Sequence, residues 1–305
     1  MMKKGRAIGT PVPDRNGSSG IGRELRSRVF PVACGAPLLL WQGAFYVGPF
    51  LFMVVLTFWT IESYRLVADG TINNWIAVLG QGGFWSIYAY SLKAAAIASV
   101  VVSILAFPCA YVLALKVSTR TRLLGACLLI TPFFSSYLVK VQTWRTTMGT
   151  NGLLNEAMGY IGLGPYDMVD TLFGTVVGYL TLVFPLVLIL QLISLAFVDR
   201  RLIEAAQNLG CGQLRVAFAV VIPAARIGLV LAAAFAFVLS FGDFISPEIL
   251  GGSSPSTMSL LLADQVRGGF QWPRAAVIAV VMVLTLLCVV SAAFVIAYNT
   301  GGGRK

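Results

Sequence analysis

The sequence contains no histidine and few charged residues. None of its 305 residues is His, and only 11% are Asp, Glu, Lys or Arg. The absence of histidine removes the commonest general base and most zinc sites. With 58% hydrophobic residues and a mean hydropathy of +0.84, the low charge content also excludes a soluble globular protein.

The sequence motifs of common catalytic and ATP-binding sites are missing as well. There is no G-x-x-x-x-G-K-[ST] phosphate loop, so we do not expect the chain to bind ATP in that way. There is also no G-x-S-x-G elbow with a partner histidine, no metal-ligand cluster and no haem attachment motif. The five cysteines include no C-x-x-C pair. We therefore predict no catalytic residue, no metal site and no cofactor held by this chain.

Long apolar runs are the main feature that is present. A bilayer core about 30 Å thick needs about 20 apolar residues per helix. Six runs approach or exceed this length, at residues 38–61, 91–115, 123–144, 172–198, 227–245 and 275–298. They predict an all-α polytopic membrane protein with about six transmembrane helices. Residues 1–35 are rich in Gly, Pro, Ser, Lys and Arg and predict a disordered basic cytoplasmic tail, which leaves 36–300 as the transmembrane domain.

The basic residues are concentrated in alternate loops. Of the 22 Lys and Arg residues, sixteen lie in the two termini and in the loops at 116–122 and 200–226, and six lie on the other side. Because cytoplasmic loops are enriched in Lys and Arg, both termini and the 199–223 loop are predicted to be cytoplasmic. The basic residues form no continuous stripe, so the net charge of +10 does not indicate nucleic acid binding.

The 199–223 loop lies between the fourth and fifth apolar runs and reads DRRLIEAAQNLGCGQLRVAFAVVIP. Asp199 as N-cap and Gly210 as a left-handed end predict a short amphipathic helix between them. A second short helix is predicted from Gln213 to about Val221. Pro223 then fits the first turn of the next membrane helix, where its missing N–H costs no hydrogen bond.

Five spaced residues of this loop match a known pattern, namely Glu204, Ala205, Ala206, Gly210 and Pro223. The pattern is EAA, three residues, G, nine residues and I-x-L-P, and Val220 and Ile222 occupy its aliphatic positions. The loop thus resembles the cytoplasmic EAA loop of ABC importer permeases, which docks in a groove of the ATPase subunit. The alternative is a plain cytosolic loop that caps two helices.

The resemblance implies an architecture and a set of partners. It implies the type I ABC importer permease fold, in a multi-pass subunit of the bacterial inner membrane surrounded by lipid. The implied partners are a second homologous permease, a dimer of ABC ATPases that binds the ATP, and a periplasmic binding protein that delivers the cargo. The chain itself would be a transport subunit and no enzyme.

Two acidic residues lie at the predicted outer end of the fifth span, in LSFGDFISPE. Asp243 is 17 residues after Arg226, or about 25 Å along a helix, which places it near the periplasmic edge. A carboxylate beside aromatic rings suits an organic cation such as a polyamine. The alternative is that Asp243 only caps the helix break before Pro247. The candidate residues of the substrate pathway are Asp243, Phe241, Phe244, Glu248 and Trp144, the last of which also fits an aromatic belt at the membrane interface.

Two further stretches carry a resemblance that bears on the cargo. Residues 239–252, LSFGDFISPEILGG, and 141–155, VQTWRTTMGTNGLLN, are similar to spermidine/putrescine importer permeases, and the similarity extends over about residues 38–298. It implies a polyamine cargo, against which Arg145 adds a positive charge near the predicted outer vestibule. An amino-acid derivative, an opine, ferric iron or thiamine remain alternative cargoes.

Transport proteins and enzymes of other classes are less consistent with the sequence. A secondary transporter or channel would need ion-coupling groups inside its spans, and apart from Asp243 these hold almost no acidic residues. An intramembrane enzyme would need a nucleophile with a base or a metal, which is hard to assemble without histidine.

Overall fold

The computed structural model describes residues 35–38, 40–63, 65–252 and 256–299. The chain forms two units, divided between Val55 and Leu56. Except for Gly35, the predicted tail 1–35 lies outside the described residues. Helix α1, Gly35–Leu56, is long and apolar enough to cross a membrane. All of its residues except Leu56 belong to the first unit. The apolar run was expected to stay helical to Ile61, but residues 60–62 form a strand instead.

The second unit is a helical bundle with one short hairpin, in which strands β1 and β2 pair antiparallel with Ile61 opposite Leu66. In chain order its elements are β1 (Thr60–Glu62), β2 (Arg65–Val67), α2 (Asn73–Leu79), α3 (Phe84–Leu115), α4 (Thr119–Ile130), α5 (Tyr137–Met148), α6 (Leu153–Gly159), α7 (Leu172–Ala196), α8 (Arg200–Asn208), α9 (Gln213–Gly242), α10 (Met258–Arg267) and α11 (Trp272–Asn299).

Within the described ranges, five helices are long and apolar enough to span a membrane, namely α1, α3, α7, α9 and α11. The apolar run predicted at 123–144 does not form one continuous helix. Thr119–Phe134 and Tyr137–Gly159 are separate segments bent by 86°, and together they could make a sixth span. Pro132 lies in the 3₁₀ turn Thr131–Phe134 at this bend, where its missing N–H favours a break in the helix.

Helix α9 is continuous from Gln213 to Gly242. We had expected a short helix ending near Val221 and a new helix beginning at Pro223. Instead, Ala217–Val221 forms a π-helical turn in which the N–H of Ile222 donates to the carbonyl of Ala217. This wider turn ends at Val221, two residues before Pro223. Proline cannot donate a backbone hydrogen bond, but the helix continues through it. One rod about 45 Å long, at 1.5 Å per residue, therefore joins the 199–223 loop to the opposite end of the bundle.

The core of the second unit lies where α3, α7 and α9 pack against one another. Helix α3 presents buried alanines at intervals of four residues, Ala106, Ala110 and Ala114, to a cluster that includes Val183 and Val187 of α7. In a bilayer, lipid tails are as apolar as the side chains, so helices associate through close packing of small residues. The alanine stripe of α3 allows this close approach.

Hydrogen bonds between helices add to this packing. The hydroxyl of Ser99 on α3 donates to the carbonyl of Ala233 on α9 at 2.6 Å. The amide of Gln191 on α7 donates to the carbonyl of Ser103 on α3 at 3.1 Å. Each such bond in a membrane protein contributes about 0.6 kcal/mol on average. They therefore fix the register of the three helices more than they add to stability.

Gly174 and Gly178 form a GxxxG pair on α7, a spacing that is typical of close helix packing. Both are buried against the segment that follows α9. A methyl group at residue 174 would lie 2.5 Å from the backbone oxygen of Leu250, and one at residue 178 would lie 2.5 Å from Oγ of Ser246. Glycine at both positions lets this segment approach α7.

We expect Gly174→Ala to lower the midpoint of thermal unfolding in detergent. The added methyl can fit only if the Leu250 backbone moves, and overpacking of this kind costs about 1–3 kcal/mol. Gly242→Ala is the control, because an added methyl there meets no atom within 4 Å. Equal midpoints for the two variants would contradict the packing described here.

Candidate functional site

The 199–223 loop forms a compact helical knob. Helix α8 begins after Asp199, whose Oδ1 accepts a hydrogen bond from the N–H of Arg201 at 2.9 Å, as the sequence predicted. The helix ends as predicted at Gly210, which has a φ of +80°. The N–H of Cys211 then donates to the carbonyl of Ala206 at 3.1 Å, which closes the turn before α9.

The knob has an inner apolar face and an outer apolar face. Ile203, Ala206 and Val216 belong to the core cluster of α3, α7 and α9, so the inner face holds the knob on the bundle. On the outer face, the Leu209 and Leu214 side chains are 85% and 78% exposed. Large exposed apolar residues beside charged ones are typical of a protein interaction site.

Of the five residues predicted to couple to an ATPase, four are exposed and Ala206 belongs to the inner face. Glu204, Ala205 and Gly210 are exposed, Ala206 is half-buried, and Pro223 is exposed on α9. Among the described residues, Glu204 has no ion-pair partner within the bundle. The structure therefore presents a charged group, small side chains and exposed leucines on one small projection.

Asp243 lies at the other end of α9, in a dense hydrogen-bond network. Its side chain is buried, and Oδ1 accepts from the N–H of Ile245 at 2.9 Å. The other oxygen accepts from the hydroxyl of Ser246 at 2.6 Å and from the hydroxyl of Tyr137 on α5. The hydroxyl of Ser259 on α10 donates to the backbone carbonyl of Asp243 at 2.8 Å. Asp243 therefore caps the helical segment that follows α9 and ties the end of α9 to α5 and α10.

The four other candidates for the substrate pathway are not gathered around Asp243. Phe241 is buried and stacks on Phe237 with ring centroids 5.7 Å apart, within the apolar core. Trp144 is half-buried on α5. Phe244 and Glu248 are brought together by Arg267, as described below. The structure thus separates the capping carboxyl group from a second, more exposed acidic and aromatic pair.

Arg145 forms an ion pair and a hydrogen bond within the chain. Its guanidinium lies 3.5 Å from Oδ1 of Asp170 and donates to the backbone carbonyl of Ile249. Asp170 in turn donates its backbone N–H to the carbonyl of Leu250 at 2.8 Å. The positive charge that counted against a cationic cargo is therefore balanced locally and used to hold the turn Pro247–Gly251.

Tyr137, Ser246 and Arg267 are functional candidates that the sequence alone did not indicate. Tyr137 is 106 residues from Asp243 in the chain, and only the fold brings the two together. A tyrosine and two serines in otherwise apolar surroundings were the available signal, because buried hydroxyls require partners. Arg267 was counted only as a loop charge.

Comparison with known proteins places the chain in a family. A family model described as the binding-protein-dependent transport system inner membrane component matches residues 126–299, which is more than half of the chain. The chain belongs to this family. It is a multi-pass inner-membrane permease of an ABC importer, a transport component that is no enzyme.

Relatives of this permease differ in the cargo that their names state. The spermidine/putrescine transport system permease protein PotB of Escherichia coli (strain K12) is 24% identical over 249 residues, which cover 81% of this chain and 90% of PotB. The molybdenum transport system permease protein ModB of Azotobacter vinelandii is 29% identical over 188 residues, covering 58% of this chain and 78% of ModB.

A solved structure supports the architecture. One chain of a bacterial alginate ABC transporter, in complex with an alginate pentasaccharide-bound periplasmic protein, superposes with a TM-score of 0.68 at 11% identity. The match covers 92% of this chain and 98% of that chain. It confirms the predicted type I ABC importer permease fold.

We expect Asp243→Asn to destabilise the permease. The substitution weakens acceptors for several buried donors, and a buried donor left unsatisfied costs about 1–3 kcal/mol. The midpoint of thermal unfolding should therefore fall, whereas Asp264→Asn, on the exposed side of α10, should leave it unchanged. A stable Asp243→Asn variant with weakened cargo uptake would instead assign Asp243 to the substrate pathway.

Proposed function

We propose that this permease translocates polyamines such as spermidine and putrescine, driven by ATP hydrolysis in a partner ATPase dimer. A periplasmic binding protein would deliver the cargo, and a second homologous permease would complete the transmembrane pathway. The observation that carries the cargo proposal is the match to PotB, which extends over 90% of that permease. The ModB match covers less of either protein and rests on a shorter segment.

The charges at the end of the bundle opposite to the 199–223 loop support a cationic cargo. Glu248 is partly exposed there, and the guanidinium of Arg267 contacts both its carboxylate and the aromatic face of Phe244. Carboxylates and aromatic faces together attract organic ammonium groups. Arg145, the residue that opposed this cargo, is balanced by Asp170.

The connection between the two ends supports ATP-driven coupling. Helix α9 carries the π-turn that packs on the knob at one end and Asp243 at the other, without interruption. Movement of the knob by a closing ATPase dimer would therefore shift the Asp243 network with it. Because Asp243 accepts a hydrogen bond from Tyr137, that shift would also move α5. Rigid-body rocking of packed helices is an established form of switching.

The cargo is tested by uptake of labelled spermidine and putrescine in cells with and without this gene. We expect deletion to abolish polyamine uptake and a plasmid copy to restore it. Excess unlabelled amino acids, thiamine, ferric iron or molybdate should not compete. Unchanged polyamine uptake in the deletion strain, under conditions where the gene is expressed, would reject this cargo.

The coupling role predicts that Glu204→Lys reduces ATP-driven uptake at least about tenfold while the protein stays in the membrane. Reversal of charge at an exposed docking residue repels whatever basic group receives it, because like charges brought together are costly. Glu156→Lys makes the same change on exposed α6 and is the control. Normal uptake in the Glu204→Lys variant would reject the docking role.

A further inference from the structure

Arg267 occupies a site formed by an acidic residue and an aromatic residue. It is the last residue of α10, and its Cζ atom lies 5.1 Å from the ring centroid of Phe244. Its Nη1 atom lies 3.2 Å from Oε1 of Glu248 and donates a hydrogen bond to it. One cation therefore sits over an aromatic face and against a carboxylate at the same time.

These two partners are the groups that would recognise an organic ammonium ion. A ring face attracts a cation through its quadrupole, and a carboxylate attracts it by charge and hydrogen bonding. A guanidinium and an alkylammonium make the same two contacts. Arg267 thus has the chemistry of the proposed cargo, supplied by the chain itself.

A ligand can replace the contacts of Arg267 with Glu248 and Phe244 at a low cost in free energy. The side chains of Arg267 and Glu248 are 58% and 44% exposed, so their ion pair is largely solvated. Exposed ion pairs contribute little, and exposed cation–π contacts are weak as well. Arg267 is followed by Gly268 and Gly269, which place no side chain in the way of its departure.

A cavity extends from this site along the end of α9. Phe244 and Arg267 line it together with Ser259, Leu262 and Met282. Its walls are mainly apolar, which suits the methylene segments of an extended amine. A ligand lying in the cavity could place a terminal ammonium group where the guanidinium of Arg267 now lies.

We propose that Arg267 is an internal counter-ion that fills an ammonium site on Phe244 and Glu248, and that an organic cation displaces it. The inference rests on the proposed polyamine cargo and adds the residue that competes with it. In the unloaded permease, Arg267 neutralises Glu248. During transport, the exchange lets the cargo take over an existing pair of contacts, so its affinity is the difference between two similar interactions.

The test is equilibrium binding of labelled spermidine to the purified permease and ATPase complex without the binding protein. We expect Arg267→Gln to lower the dissociation constant about fivefold, because the competitor is removed. Arg267→Lys, which keeps the charge, should stay within about twofold of the wild type. Arg65→Gln removes an exposed charge from β2 and should have no effect.

A second substitution separates loss of competition from a general change in charge. In the Arg267→Gln background, Glu248→Gln and Phe244→Leu should each reverse the gain in affinity, whereas Glu156→Gln, on the exposed side of α6, should not. Thermal unfolding of each complex shows whether the variants remain folded. If Arg267→Gln does not remain folded, Arg267→Lys supplies the comparison.

The outcomes distinguish this inference from the proposed function. If the wild-type complex binds spermidine and Arg267→Gln binds it equally or more weakly, the counter-ion role is wrong and the polyamine cargo stands. If neither complex binds spermidine and deletion of the gene leaves polyamine uptake intact, both are wrong. A gain confined to Arg267→Gln, and lost with Glu248→Gln, supports both.

Discussion

Close packing of α3, α7 and α9 is the constraint on which the rest of this structure depends. Inside a bilayer, burial of apolar surface gives helices no advantage over contact with lipid. The association therefore relies on shape, supplied by the alanine stripe of α3 and the glycines of α7, and on a few hydrogen bonds between helices. Without this interlock, neither end of α9 would have a fixed position.

Both candidate functional regions are attached to that core through α9. The knob rests on the core by Ile203 and Val216, and its outer face is left free. At the other end, Asp243 stops α9 and joins it to α5 and α10. The two regions are therefore linked by a helix and by packing, without a flexible connection between them. This arrangement accounts for how an event at the knob could alter the opposite end.

The sequence predicted the parts of this fold that follow local rules. The apolar runs indicated the membrane helices. Asp199 and Gly210 predicted the bounds of α8, because caps and left-handed turns depend on a few neighbouring residues. Hydropathy could not show the 86° bend at residues 135–136, because a proline in an apolar run is compatible with both a straight and a broken span.

The contacts that define the opposite end could not be predicted in the same way. Pro223 suggested a helix start, and the π-turn that absorbs it depends on packing of the knob against the core. One partner of each of Asp243 and Arg145, namely Tyr137 and Ile249, lies more than 100 residues away in the chain. For Arg267, the charge was visible, but its position over Phe244 is a property of the folded chain.

Docking of the ATPase on the outer face of the knob can be measured by site-directed cross-linking. Single cysteines would be placed at Leu209 and Leu214 on the outer face and at buried Val216 as a control, in a chain otherwise free of cysteine. After treatment of the assembled complex with a short bifunctional maleimide, we expect residues 209 and 214 to cross-link to an ATPase subunit that bears an opposing cysteine. Residue 216 should give no cross-link. Efficient cross-linking from Val216, or none from either outer position, would contradict it.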